Sequence, residues 1–206
     1  SSTHAVFHMD PATGATGAFA TMLALRRRER TGVGELVELP QSENMLQHVG
    51  EFLVDAARTG REQPSLGNRH VTWAPQGCYP CLGTPPEGPS EGSPGSWVVL
   101  SVSDDSQWSG LQRAMGMPAW AADPRFQTPT GRRGHHDEID ARLTAWTRNR
   151  DRHEIARLCQ AEGVPAGPVL DEADCYGDPH LAARGFFRQN GSPDLGMYRF
   201  PGHLWR

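Results

Sequence analysis

The sequence predicts an α/β protein: two strand–helix units, then a compact α+β unit, then a β-hairpin. Three observations point there. Apolar residues recur at helical spacing over long stretches of the first part of the chain. Beyond a polar connection, "TGREQPSLGNRH", the elements become shorter and are bounded by Gly and Pro. The 206 residues, 37% hydrophobic and 21% charged, fit a globular protein of one large domain or two small ones.

The elements follow in order. "AVF" reads as a short strand that runs directly into a helix from Pro11 to Arg30, with Phe19, Met22, Leu23 and Leu25 apolar and Gly32 as its stop. "GELVELP" then alternates like a strand and is closed by Pro40. From Ser42 to Arg58, Met45, Leu46, Val49, Phe52, Leu53 and Ala56 repeat as on one helix, which Gly60 ends. "GCYPCLG" and "SWVVLSVS" read as two strands joined by an exposed loop, "TPPEGPSEGSPG". Asp104 or Asp105 caps the next helix, which carries Trp108, Leu111 and Met115 and stops at Gly116. A helix from about His136 to Asn149 buries Ile139, Leu143 and Trp146. Another, from about Arg152 to Glu162, buries Ile155, Leu158 and Cys159 before Gly163. "VPAGPVL" is extended, "DPHLAARG" holds a short helix, and "FFRQNGSPDLGMYRF" is a hairpin turning between Gly191 and Gly196. The region from Gly67 to Val169 is expected to form its own core around Trp97, Trp108 and Trp146.

Composition excludes several function classes. A net charge of −4 offers no basic surface for nucleic acid or an anionic membrane, and no run is long enough to span a bilayer. All 20 basic residues are Arg, so this chain supplies no lysine for Schiff-base chemistry. Cys78 and Cys81 form a C-x-x-C pair, but zinc would require a second pair, and Cys159 and Cys175 do not make one. The pair lies in a predicted strand rather than at a helix entry, where redox cysteines gain reactivity. No metal is expected. Reduced thiols and the lack of a visible signal peptide lead to an expected cytoplasmic location.

Asp10 is the residue that raises a chemical question. It precedes Pro11 and the small-residue run "ATGATGA", where Asp at N-cap with Pro at the first helical position is a favoured entry. A helix N-terminus also favours negative charge, and an ionised carboxylate is what a nucleophile must be. Gly14 and Gly17 leave little bulk on the first turns, so a large ligand could approach the backbone. Both readings of Asp10 stand at this point. "GATGA" lacks the leading glycine of a dinucleotide fingerprint. His135, His136 and Asp137 read as a solvated helix start, because adjacent histidines point to different faces. His4 and His8, close to Asp10 in sequence, read as surface residues.

The ordered set "MDPATGATGAFATMLAL", "RRRERTGVGELVEL", "SENML", "LGNRH", "APQGCYPC", "WVVLSVSDDSQWSGL", "DPRF", "GVPAGPV" and "DPHLAARGFF" resembles the family III CoA-transferases. The resemblance covers nearly the whole chain. That group includes formyl-CoA transferase, carnitine CoA-transferase and α-methylacyl-CoA racemase. The resemblance implies that residues 1–66 are the end of a Rossmann-like large domain, with the catalytic aspartate and a linker helix. Residues 67–170 would be a small α+β domain, and 171–206 a return linker with a hairpin. It implies that an upstream half with most of the CoA contacts and a final C-terminal stretch are missing. The chain alone is therefore expected to be inactive, and both ends look cut through a fold.

By the same resemblance Asp10 is the catalytic residue, acyl-CoA and a carboxylic acid are the substrates, no cofactor is tightly bound, and the full protein is an interlocked homodimer. The implied reaction moves CoA between acids through an aspartyl anhydride and an aspartyl-CoA thioester. The alternatives are a racemase-type isomerase, in which the aspartate exchanges an α-proton, and a catalytically inactive fragment or dimerisation module. "GNRH" and "APQGCYPC" resemble the transferase branch more closely. One departure is that His70-Val71-Thr72-Trp73-Ala74 stands where formyl-CoA transferase has a glycine run, which points to an acid larger or more apolar than formate or oxalate.

Overall fold

In the computed structural model the described residues are 8–62, 64–85, 95–194 and 196–202. The chain divides into two units, Ser1–Ser65 and Leu66–Arg206. The first begins with α1 (Met9–Thr31), which ends where Gly32 takes φ 72° and donates its N–H to the Arg28 carbonyl at 2.8 Å. Only a residue without a Cβ adopts that left-handed turn cheaply. The helix starts earlier than expected. His8 is its N-cap, so Asp10 lies inside the first turn and caps nothing. Pro11 is tolerated there because first-turn N–H groups have no intrahelical acceptor to lose.

Two further expectations for this unit are corrected. Residues 33–39 carry no regular secondary structure and pair with no strand among the described residues. Alternation alone does not make a strand without a neighbouring edge to bond. The helix expected from Ser42 to Arg58 is two helices, α2 (Gln41–His48) and α3 (Gly50–Thr59), broken at Val49 with φ −124° and ψ 21°. A β-branched residue followed by glycine supplies two weak helix formers at the break. The strand expected at residues 5–7 lies outside the described residues. Neither α1 nor α3 has a buried residue, and Phe19, Met22, Phe52 and Val54 are exposed.

The second unit has its own core. Strands β1 (Gln76–Pro80), β2 (Trp97–Ser101) and β3 (Ala166–Pro168) form an antiparallel sheet in the order β1-β2-β3. Val98 and Leu100 are buried while Val99 between them is exposed, the period-2 pattern of a sheet covered on one side. Between β2 and β3 run α4 (Asp105–Ala114), α5 (Pro129–Gly134), α6 (His136–Thr147) and α7 (Arg152–Ala161). α6 packs on β1, and α7 on β2, β3 and α4. Asp104 caps α4 by accepting the Gln107 N–H at 2.9 Å. Trp108, Leu111, Phe126, Ile139, Leu143, Ile155 and Val164 form the centre of the core.

Some core expectations shift. Leu158 is exposed and Ala156 is buried in its place on α7, while Trp97 and Trp146 are only half-buried. Arg132 is buried instead, its guanidinium donating to the carbonyls of Ala74 and Phe126 and to Asp105, and lying over the Trp108 ring. The loop expected between the first two strands falls mostly on residues 86–94, outside the described ones. The chain continues through α8 (Glu172–Gly177) and α9 (Pro179–Ala183) to a hairpin of β4 (Phe187–Ser192) and β5 (Gly196–Pro201).

Candidate active site

Asp10 sits in the first turn of α1 with its side chain exposed. Its Oδ1 accepts a hydrogen bond from Gln41 Nε2 at 2.7 Å. Gln41 opens α2, behind Pro40 in an extended conformation. One turn further along each helix, Asn44 Nδ2 donates to Thr13 Oγ1 at 3.3 Å. Asn44 is the buried residue of α2, so its amide is a fixed point between the helices. The rings of His8 and His48 meet edge-on at 6.2 Å. Among the described residues Asp10 forms no ion pair, although Arg is abundant in this chain. Gly14 lies one helical turn beyond Asp10, and a Cβ there would touch nothing within 4 Å. Among the described residues, the helix surface beside the carboxylate is bare at Gly14.

A second polar cluster lies in the other unit. Arg69 donates to Asp137 at 2.6 Å and to Asp140 at 2.5 Å, and the Tyr79 hydroxyl donates to Asp140 at 2.7 Å. The Gln76 N–H donates to His136 Nε2 at 3.2 Å. His136 is thus buried at the start of α6, not solvated as expected, because the backbone of β1 supplies its partner. Burial pushes the His136 pKa down, partly opposed by the Asp140 charge. Burial raises the Tyr79 pKa above its usual range, with Asp140 adding to the effect. The hydrogen bonds that Arg69 donates to Asp137 and Asp140 raise its pKa. A groove of about 240 Å³ beside this cluster includes Cys78, and burial raises the pKa of its thiol. Burial also raises the Cys81 thiol to about 11 and the Cys159 thiol to about 12. None of these three is poised as a thiolate. Among the described residues, no group of three His, Cys, Asp or Glu side chains is placed to hold a metal ion.

Sequence reasoning singled out Asp10 but missed Gln41, 31 residues away, because nothing local links the two. His4 lies outside the described residues, and His8 is exposed. His135, His136 and Asp137 take different partners, His135 meeting Phe126, His136 accepting from β1 and Asp137 accepting from Arg69, although all three line one groove.

Residues 2–206 match the family model described as CoA-transferase family III. A succinyl-CoA–D-citramalate CoA-transferase of Chloroflexus aurantiacus is 31% identical over 179 residues, covering 87% of this chain and 42% of that protein. The probable CoA-transferase Rv1866 of Mycobacterium tuberculosis is also 31% identical, over 185 residues, covering 89% of this chain and 22% of that protein. The chain thus spans less than half the length of these curated relatives. A CaiB/BaiF family protein from Brucella suis superposes with a TM-score of 0.73 at 24% identity, over 96% of this chain and 53% of that one. That likeness fixes the fold as the mixed α/β architecture of this group. With the family model matched from end to end, the chain belongs to the family III CoA-transferases.

Proposed function

We propose that the natural protein transfers coenzyme A from an acyl-CoA to a carboxylic acid, with Asp10 as the nucleophile. One observation carries this reading. An exposed carboxylate in the first turn of a long helix is held by a neutral amide, beside a helix surface cleared by Gly14. Asp10 attacks the thioester carbonyl, forming an anhydride and expelling CoA thiolate. The thiolate then attacks the aspartyl carbonyl, which forms the aspartyl-CoA thioester and releases the first acid. The acceptor carboxylate attacks that thioester and regenerates an anhydride and thiolate. A last thiolate attack on the new acyl group gives the product acyl-CoA and frees Asp10. Covalent catalysis of this kind divides one difficult transfer into easier steps.

The relative named for succinyl-CoA supports a short dicarboxylyl-CoA as donor. The free thiols support a reducing compartment, which we take to be the cytoplasm. The exposed apolar faces of α1 and α3 support assembly as a homodimer. We take residues 1–66 to carry the nucleophile, 67–170 the small domain and 171–206 the return segment.

The test is trapping. With succinyl-CoA or acetyl-CoA as donor, hydroxylamine should convert Asp10 to a hydroxamate that peptide mass mapping locates. Asp10→Asn should abolish both the adduct and transfer. Retention of transfer by that variant overturns the assignment, and α-proton exchange without an adduct identifies an isomerase instead.

A further inference from the structure

We propose that Gln41 serves the reaction directly: its side-chain amide fixes the Asp10 carboxylate and donates to the oxyanion formed on that same oxygen when the aspartyl carbonyl is attacked. The proposal rests on Asp10 being the nucleophile. The geometry is the 2.7 Å hydrogen bond from Gln41 Nε2 to Asp10 Oδ1. Its precision comes from α2. Gln41 and Asn44 are three residues apart on one helix face, as are Asp10 and Thr13 on α1, and the two amides reach the two acceptors in step. Asn44 is buried, so the pairing it makes holds Gln41 in place.

The chemistry explains why this donor is an amide. A guanidinium there would pair with the carboxylate and depress its basicity. A neutral amide orients the carboxylate and leaves its charge unpaired. Among the described residues Asp10 Oδ2 has no hydrogen-bond partner, so Oδ2 is the oxygen presented for attack while Oδ1 is held. After Oδ2 has bonded to the acyl carbon, Oδ1 becomes the aspartyl carbonyl oxygen. Thiolate attack on the aspartyl carbon then moves the C=O electron pair onto Oδ1. The Gln41 N–H already points there. When the tetrahedral species collapses, that pair re-forms C=O and the C–O bond to the departing carboxylate breaks. Attack by the acceptor on the aspartyl thioester repeats the same charge development on Oδ1, with thiolate leaving. A donor in place before charge develops needs no reorganisation at the moment of reaction.

Three variants of the natural protein test this: Asp10→Asn, Gln41→Met and Gln41→Glu. Gln41→Met keeps the volume of the side chain and removes the donor. It should lower kcat about 10²-fold, the usual cost of one oxyanion donor, with KM for succinyl-CoA little changed. Gln41→Glu places a second carboxyl against Asp10, which raises the pKa of the pair. The acid limb of kcat/KM should therefore move to higher pH. Among the described residues, the other titratable groups at the start of α1 and on α2 are His8, Glu43 and His48, and all three are kept in every variant. A residue out of contact with Asp10 would leave that limb where it is, and the loss of kcat in Gln41→Met separates a donor to the reaction from a merely adjacent group.

Carboxyl NMR titration of Asp10 in the same variants gives a readout independent of the acyl donor, and Gln41→Glu should raise the Asp10 titration midpoint. An unmoved midpoint, or a Gln41→Met variant with the parent's kcat, overturns the proposal. Asp10→Asn separates the two readings: if that variant still transfers CoA, the nucleophile assignment fails and this proposal falls with it. If Asp10→Asn is inactive and Gln41→Met is unimpaired, only the role of Gln41 is lost.

Discussion

At the scale of single residues, a position the sequence pattern does not single out and another read as solvated both acquire defined partners in the fold. Gln41 is one. His136 is the other, and its protonation links the fold to pH. The folded chain keeps a neutral ring that accepts the Gln76 N–H, and burial lowers its pKa. Asp140 and Asp137 oppose that shift, and Arg69 reinforces it. An unfolded histidine takes up a proton near pH ~6.5. Between that value and the lower folded one, the unfolded chain holds more protons. The contribution to stability is therefore complete above pH ~6.5 and is lost as pH falls toward the folded value. We expect Tm to fall on acidification through this window. In His136→Gln, whose side-chain carbonyl can accept the same N–H, that part of the decline should flatten. Equal slopes for the two proteins would show that His136 is not the titrating group.

At the scale of elements, close approach decides where small residues are required. Gly110 on α4 faces the end of α7, where an added Cβ would lie 2.3 Å from the Glu162 carbonyl oxygen. Backbone cannot move aside as a flexible side chain can. Gly110→Ala should destabilise the chain by about 1–3 kcal/mol, the usual range for overpacking, read as a lower urea midpoint. Gly134→Ala, where nothing lies within 4 Å of the new Cβ, is the control and should change the midpoint little. A Gly110→Ala midpoint equal to the control's would mean that the helices do not approach so closely.

Sequence legibility follows the same line between local and distant causes. The stops at Gly32, Gly60 and Gly163 and the cap at Asp104 were readable because turn chemistry is local. The first two strands of the larger unit and the final hairpin were readable from apolar runs and turn residues, whereas the third, in "VPAGPVL", was readable only as an extended segment. Arg132 was not, since "GRRG" says nothing of the two carbonyls and the carboxylate that make its burial tolerable. The pairing of Asp10 with Gln41 was hidden for the same reason. The break at Val49 depends on how the two halves of one apolar stripe meet their surroundings, which the stripe itself does not specify.

At the scale of the whole chain, burial is uneven. Among the described residues, the buried apolar ones lie between Ala74 and Val164, while the elements of the first unit leave most of their apolar side chains exposed. Such surface favours local opening and association. Limited proteolysis of this chain should remove residues before about Ser65 first and leave a resistant product spanning roughly Gly67 to Val169. A resistant product confined to the first sixty or so residues would overturn that assignment of stability.

The hairpin of β4 and β5 has a different relation to time. Two strands alone are marginally stable, and Met197, Tyr198 and Phe200 of β5 are exposed. Its ties include Tyr176, whose ring stacks on Phe187 at 4.5 Å, whose hydroxyl donates to the Arg199 carbonyl, and whose own carbonyl accepts from the Arg199 guanidinium. One residue of α8 thus touches both strands. Amide exchange in β4 and β5 should therefore run through a shared opening that the Tyr176 contacts oppose, so that the hairpin keeps its own clock, faster than that of the core sheet.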